Sequence, residues 1–251
     1  MAEINMGRIT DAVKFLIIIN VLFFIGSYFT NGLAERLFAL FYFENPNFQL
    51  WQPLTSMFMH GGLFHILFNM YALWAFGSAL EMRWGQKKFL FFYFSAGLGS
   101  ALIYSLVNYY FFHAGFNEIV ALGSPSADVW SMFNNTLTPG SYREILGIDT
   151  GVLQRAFSAW NVPALGASGA IYGVLVAFGI MFPNVELMLM FLPVPVKAKY
   201  FIPGLIVLDL ILGISGAQTG IAHFAHLGGA LFGFIMAWYW KKNSFNDHRW
   251  N

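Results

Sequence analysis

The chain contains no cysteine and few charges: 13 Lys and Arg and 12 Asp and Glu make up only 10% of its 251 residues, against about 25% in a soluble domain. Without thiols there can be no disulfide, no cysteine nucleophile and no thiolate metal site. A net charge of +1 offers no electrostatic footprint for nucleic acid. Such sparse charge also removes the solvated shell that a soluble fold requires. In its place the chain is 58% hydrophobic and 19% aromatic, with a mean hydropathy of +0.61.

That hydrocarbon falls into six runs, roughly 12 to 31, 61 to 80, 89 to 112, 166 to 183, 200 to 216 and 222 to 240. Apolar runs of about 18 to 25 residues cross ~30 Å of bilayer only as helices, because lipid offers no partner to backbone polar groups. The expected fold is therefore all-α: a polytopic membrane protein with six transmembrane helices, read as one domain over 1–251. The first run follows Asp11 and Lys14 without a small-residue cleavage pattern, so it reads as a retained span rather than a cleavable signal. Basic residues accumulate on the cytoplasmic side. Arg8, Lys14, Arg83, Lys87, Lys88, Lys197, Lys199, Lys241, Lys242 and Arg249 fall on one side of six spans, and Arg36, Arg143 and Arg155 on the other. Both termini are thus expected in the cytoplasm.

Several connections carry local signals. Residues 32–59 hold the turn signal Asn45-Pro46-Asn47 and aromatics suited to the membrane boundary. Glu81 and Arg83 read as a charge pair capping the inner end of the second span. Residues 113–160 are polar and broken enough for an outer-side insertion between the third and fourth helices, with short amphipathic helices expected near 127–134 and 151–160, capped by Ser126 and by Asp149 or Thr150. Val129, Trp130, Met132 and Phe133 make that insertion a candidate cover for a site mouth. Pro183, Pro193, Pro195 and Pro203 punctuate the connection to the fifth span.

Polar groups inside the runs mark function. Counted from a cytoplasmic N-terminus, the second, fourth and sixth spans all run inward, so their first turns share a depth. On them stand His65 and Asn69, four apart and on one helix face; Ser168 at a helix start; and His226. First-turn N–H groups lack intrahelical partners and sit at the positive end of the helix dipole. An oxyanion forming at Ser168 would meet them. These groups supply a nucleophile, a base and oxyanion donors, the last being His65, Asn69 and the Ser168 backbone N–H; one such donor is worth about 3 to 4 kcal/mol. Gly169 with Gly173 and Gly229 with Gly233 form small-xxx-small pairs that favour packing of the fourth helix on the sixth. Asp209 lies mid-span, where it could orient His226 or pair elsewhere. A Ser168–His226 dyad with Tyr172 packed on the imidazole is the preferred arrangement over a triad using Asp209.

The His60, His65 and Asn69 pattern, the Gly166-Ala167-Ser168-Gly169 motif with Tyr172, the Ala225-His226-Leu227-Gly228-Gly229 motif with Gly233, and Glu81-Met82-Arg83-Trp84-Gly85 together resemble the rhomboid family of intramembrane serine proteases. The resemblance covers about residues 50–240. It implies a Ser168–His226 dyad, oxyanion donors at His65, Asn69 and Ser168, an active site opening to the extracytoplasmic side, and single-span or other transmembrane proteins as substrates. It also implies the lipid bilayer as milieu, with no metal, cofactor or nucleic-acid partner. A non-proteolytic membrane chaperone or binding protein of the same fold is the alternative, and a transporter relying on Asp209 a more distant one.

Overall fold

The computed structural model describes residues 8–135, 151–189, 192–216 and 219–243. They form a helical membrane bundle whose elements run α1 (Asp11–Tyr28), α2 (Leu33–Phe38), α3 (Gln52–Thr55), α4 (Leu63–Ala72), a π turn (Leu73–Gly77), α5 (Ser78–Trp84), α6 (Gln86–Ala121), α7 (Ser126–Asn134), α8 (Gly151–Asn161), α9 (Ser168–Met181), β1 (Glu186–Leu189), β2 (Leu192–Lys197), α10 (Ala198–Ser215) and α11 (His223–Asn243). Among the described residues, four helices are long and apolar enough to cross a membrane: Asp11–Tyr28, Leu63–Trp84, Gln86–Ala121 and Ala198–Ser215. The chain is a multi-pass integral membrane protein. The fourth expected run is shorter as a helix, 14 residues in α9, or about 21 Å at 1.5 Å per residue. Its short length goes with its position, since Gly169, Ala170, Ile171 and most of the residues that follow are buried against other helices. The sixth run forms a 21-residue helix ending on Lys241 and Lys242.

Small residues draw α9 and α11 together. A Cβ on Gly229 would stand 1.8 Å from the Gly169 carbonyl oxygen, and one on Gly233 would stand 2.4 Å from the Gly173 Cα. Backbone therefore meets backbone across this seam, a packing that larger side chains forbid. From α6, Ser100 Oγ donates 2.6 Å to the Ala225 carbonyl and lies where a Gly169 Cβ would be, 2.1 Å away. One hydroxyl thus braces both helix starts.

Glu81 acts differently from the charge pair expected of it. Its carboxylate accepts the Ala12 and Val13 N–H groups at 2.9 Å each and the Thr10 hydroxyl, so it caps the N-terminus of α1 from a distant helix. Arg83 instead lies over the Phe182 ring, 5.6 Å from its centroid.

The third run continues past its expected end. At 36 residues, α6 is about 54 Å long and overreaches ~30 Å of hydrocarbon. Its last turns join α7 and α8 in a second apolar cluster containing Phe112, Ile119, Val129, Phe133, Phe157 and Trp160. The insertion therefore begins as helix, not loop. Val129 and Phe133 are buried in this cluster, with Trp130 and Met132 packed against it, so these four side chains serve its interior rather than a free covering face. Ser126 is the first residue of α7 and caps nothing: Pro125 holds the cap position, with no side-chain bond. Asp149 and Thr150 lie outside the described residues. The proline-punctuated connection contains an antiparallel strand pair, Glu186 opposite Lys197 and Leu189 opposite Leu192. The helical pattern had not indicated it, and Pro203 sits within α10.

Candidate active site

Ser168 opens α9, and the loop before it is tied down by backbone bonds. Leu40 and Ala164 exchange N–H to carbonyl bonds of 2.8 and 2.9 Å, and Gly166 N–H donates 2.9 Å to the Ser56 carbonyl. Gly166 has φ +122°, a conformation an L side chain rarely adopts. A Cβ there would stand 2.7 Å from His65 Nε2 and 3.5 Å from Ser168 Oγ. The glycine thus keeps the space between the two groups open. Ala167 is fully buried and takes the cap position of α9. Ser168 and Gly166 also line a cleft together with Ser56, Met57, Ser100, Tyr104 and Ala222, among others.

His226, in the first turn of α11, places Nε2 2.8 Å from Ser168 Oγ. Tyr172, one turn below the serine, stacks on the imidazole with ring centroids 4.1 Å apart and an interplanar angle of 14°. The tyrosine therefore fixes the plane of the ring, and the serine hydroxyl lies at its edge.

The dyad expected from the sequence is here joined by an acid. Asp209 Oδ2 lies 3.1 Å from His226 Nδ1, and its Oδ1 is bonded to His223 Nδ1. His223 Nε2 is in turn 2.7 Å from Thr219 Oγ1, which accepts the Ile221 N–H at 3.2 Å. All three site side chains are buried, Asp209 at 5%, His223 at 4% and His226 at 9% exposure. Sequence reasoning gave His223 no role, although its i, i+3 spacing from His226 placed both on one face. The sequence favours a dyad over a triad using Asp209, because α10 is apolar around its circumference and shows no stripe to say which way the acid faces; the structure instead sets the acid behind His226.

Of the remaining expected groups, His65 comes to the serine. His65 reaches the Gly166 position as described, and its Nδ1 accepts the Gly61 N–H at 3.4 Å. Asn69 is buried with its Nδ2 unpartnered among the described residues, a donor with no acceptor in place. His60 packs edge-on to His65 at 5.0 Å, with both ring nitrogens buried and unpartnered among the described residues. Burial pushes its pKa down to about 4, aided by the neighbouring His65. His60 is thus a neutral ring that backs His65.

Asp209, His223 and His226 also offer one donor atom each within 4.8 Å of one another, a set of the kind zinc accepts. Each carboxylate oxygen already faces an imidazole nitrogen, so hydrogen bonding accounts for the cluster without an ion. What the geometry provides is a hydroxyl at hydrogen-bond distance from a base, a base with a carboxylate behind it, and a second imidazole, His65, across Gly166 from the hydroxyl: the equipment for nucleophilic acyl transfer.

Comparison with known proteins places the chain among its relatives. The Rhomboid domain family matches residues 47–124 and 140–243; the unmatched stretch between them contains α7. The rhomboid protease AarA of Providencia stuartii is 26% identical over 252 residues, covering 94% of this chain and 74% of the relative. An uncharacterized mitochondrial rhomboid protein of Schizosaccharomyces pombe is 29% identical over 217 residues, 77% of this chain and 52% of the relative. The mitochondrial presenilin-associated rhomboid-like protein of Mus musculus is 31% identical over 208 residues, 82% of this chain and 42% of the relative. The chain spans about half or less of the length of these last two. With a family match over most of its length and the serine, imidazole and glycine framework assembled at one site, the chain belongs to the rhomboid family.

Proposed function

We propose that the protein is an intramembrane serine endopeptidase that cleaves transmembrane segments of other membrane proteins. The observation that carries this reading is the 2.8 Å approach of His226 Nε2 to Ser168 Oγ at the N-terminus of a buried helix. His226 accepts the Ser168 proton as Oγ attacks the scissile carbonyl carbon. The tetrahedral oxyanion is met by the Ser168 backbone N–H, by His65 and by Asn69, whose Nδ2 has no acceptor among the described residues. Collapse breaks the C–N bond, and the proton on His226 passes to the leaving amine. Water then attacks the acyl-serine, His226 takes the water proton and returns it to Ser168 Oγ, and the carboxylic acid product leaves.

The six-span topology, with α9 and α11 as the fourth and sixth crossings, both termini in the cytoplasm and the site opening to the extracytoplasmic side, belongs to this proposal. It rests on the six apolar runs and on the asymmetry of basic residues between them, while the protease reading is supported by AarA, a relative named as a protease. A single domain with its core at about 50–240 and the insertion at 113–160 also belongs to it. Substrates are expected to enter as helices that unwind near the outer leaflet, since a peptide bond held in an intact helix cannot reach a serine at a fixed helix terminus.

The test is cleavage of a single-span model substrate by the purified protein in detergent. Wild type should cleave it and be labelled by a serine-directed fluorophosphonate, and Ser168→Ala should do neither. Cleavage that persists in Ser168→Ala rules the nucleophile out.

A further inference from the structure

The buried carboxylate of Asp209 touches two imidazoles, only one of which the proposed chemistry uses. An ionised carboxylate inside a membrane span is costly unless it is paired and hydrogen-bonded. Here each oxygen has its own donor: Oδ2 faces His226 Nδ1 at 3.1 Å and Oδ1 faces His223 Nδ1. Beyond His223, the Thr219 hydroxyl accepts the Ile221 N–H at 3.2 Å and stands 2.7 Å from His223 Nε2.

One assignment of protons satisfies the whole line with both imidazoles neutral. Thr219 donates to His223 Nε2, so His223 carries its proton on Nδ1 and donates it to Asp209 Oδ1. His226 likewise carries its proton on Nδ1 and donates it to Asp209 Oδ2. That leaves His226 Nε2 with a lone pair, facing the Ser168 hydroxyl. The opposite tautomer of His226 would set a lone pair against the carboxylate and an N–H against a hydroxyl that must lose its proton.

We propose that Asp209, anchored from its far side by His223 and Thr219, is a positioning residue that holds His226 in the Nδ1–H tautomer and so makes it the base for Ser168. His223 positions the carboxylate in turn. Both residues stand on separate elements, α10 and α11, so the line also ties the start of the base-bearing helix to the neighbouring span. The assignment rests on the hydrolase reading for its consequence in rate, but the tautomer itself does not depend on that reading.

The experiment pairs kinetics with 15N NMR of histidine-labelled, detergent-solubilised protein. In wild type the His226 signals should be those of the Nδ1–H form; in Asp209→Asn they should move toward the Nε2–H form. In soluble serine proteases the loss of the carboxylate behind the histidine lowers kcat by about 10⁴. Asp209→Asn is expected to lower kcat about 10²- to 10⁴-fold with KM within about threefold, because the change alters the base and not substrate binding. His223→Phe should lower kcat about tenfold, and His223→Asn, which returns an N–H at the same reach, should recover most of that loss. A His226 tautomer unchanged in Asp209→Asn overturns the proposal, as does Ser168-dependent cleavage with kcat within threefold of wild type in that variant. If Asp209→Asn does not fold, the His223→Phe and His223→Asn pair decides: equal kcat in the two overturns the anchoring role. Failure of the hydrolase reading would show separately, as cleavage surviving Ser168→Ala, and the tautomer measurement would still stand or fall by itself.

Discussion

Replacing Gly229 by alanine should separate the two helices that carry Ser168 and His226 while leaving both side chains in the sequence. The added Cβ would stand 1.8 Å from the Gly169 carbonyl oxygen and 2.7 Å from the Gly169 carbonyl carbon. Carbon–oxygen contacts settle at about 3.3 to 3.6 Å, so α9 and α11 must part by about 1.5 Å. No side chain can rotate away, since the atom being struck is backbone. Gly169 adjoins Ser168 and Gly229 is three residues from His226, so the 2.8 Å Oγ to Nε2 approach opens beyond hydrogen-bond reach. A misplacement of about 1 Å at a reacting pair costs on the order of 100-fold in rate, and overpacking costs about 1 to 3 kcal/mol of stability. Gly229→Ala should therefore lose about 100-fold or more in kcat/KM for a single-span substrate. Its thermal unfolding should fall only by a few degrees per kcal/mol lost. Gly173→Ala, whose Cβ meets the Gly229 carbonyl at 3.0 Å and the Ala96 Cβ at 2.6 Å, should be intermediate. Gly204→Ala, with nothing within 4 Å, should match or exceed wild-type stability by about 0.5 to 1 kcal/mol. If Gly229→Ala and Gly204→Ala cleave equally well, backbone contact between α9 and α11 does not set the geometry of the site.

Two further outcomes follow from the side chains around the base. Tyr172→Ala, which removes the 4.1 Å stack on His226, should lower kcat about 2- to 10-fold, the equivalent of about 0.5 to 1.5 kcal/mol. Tyr172→Phe keeps the ring and should stay within about threefold, and equal kcat in the two variants would show that the stack does nothing for the base. His60 titrates at about 4 in the folded protein against about 6.5 in an unfolded chain, so the unfolded state binds the extra proton between those values. Its contribution to stability is complete above pH 6.5 and is lost as pH falls from 6.5 towards 4, by up to about 3 kcal/mol. Unfolding of His60→Phe should lack that part of the slope, and identical pH dependence in the two proteins would refute it.

Much of the molecule could be read before any coordinates. The helical, membrane-spanning class follows from hydrocarbon content, because lipid leaves the backbone no other way to satisfy its polar groups. The helices of the insertion, α7 and α8, were visible in composition, but what they pack against was not. Val129 and Phe133 look like an exposed apolar face on a helical wheel, and only the tertiary structure reveals the surface that buries them, Phe112 on the overlong α6 and Trp160 on α8. Glu81 shows the same limit. In sequence its neighbour is Arg83, two residues on, yet the donors it meets are the free N–H groups at the start of α1, about 70 residues earlier.

Sequence alone determined which groups could react: Ser168 at a helix start, His226 on another run, and His65 with Asn69 on one face. These are local facts, of residue type, spacing and the backbone donors that every helix N-terminus exposes. Tertiary structure decided which of them act on one another, above all that Asp209 stands behind His226 and that His223 holds Asp209 from the other side. The reason is rotational. Helices apolar all around, such as α10, have no polar stripe to fix their facing, so the direction of a lone acid is set only when the neighbouring helices close around it.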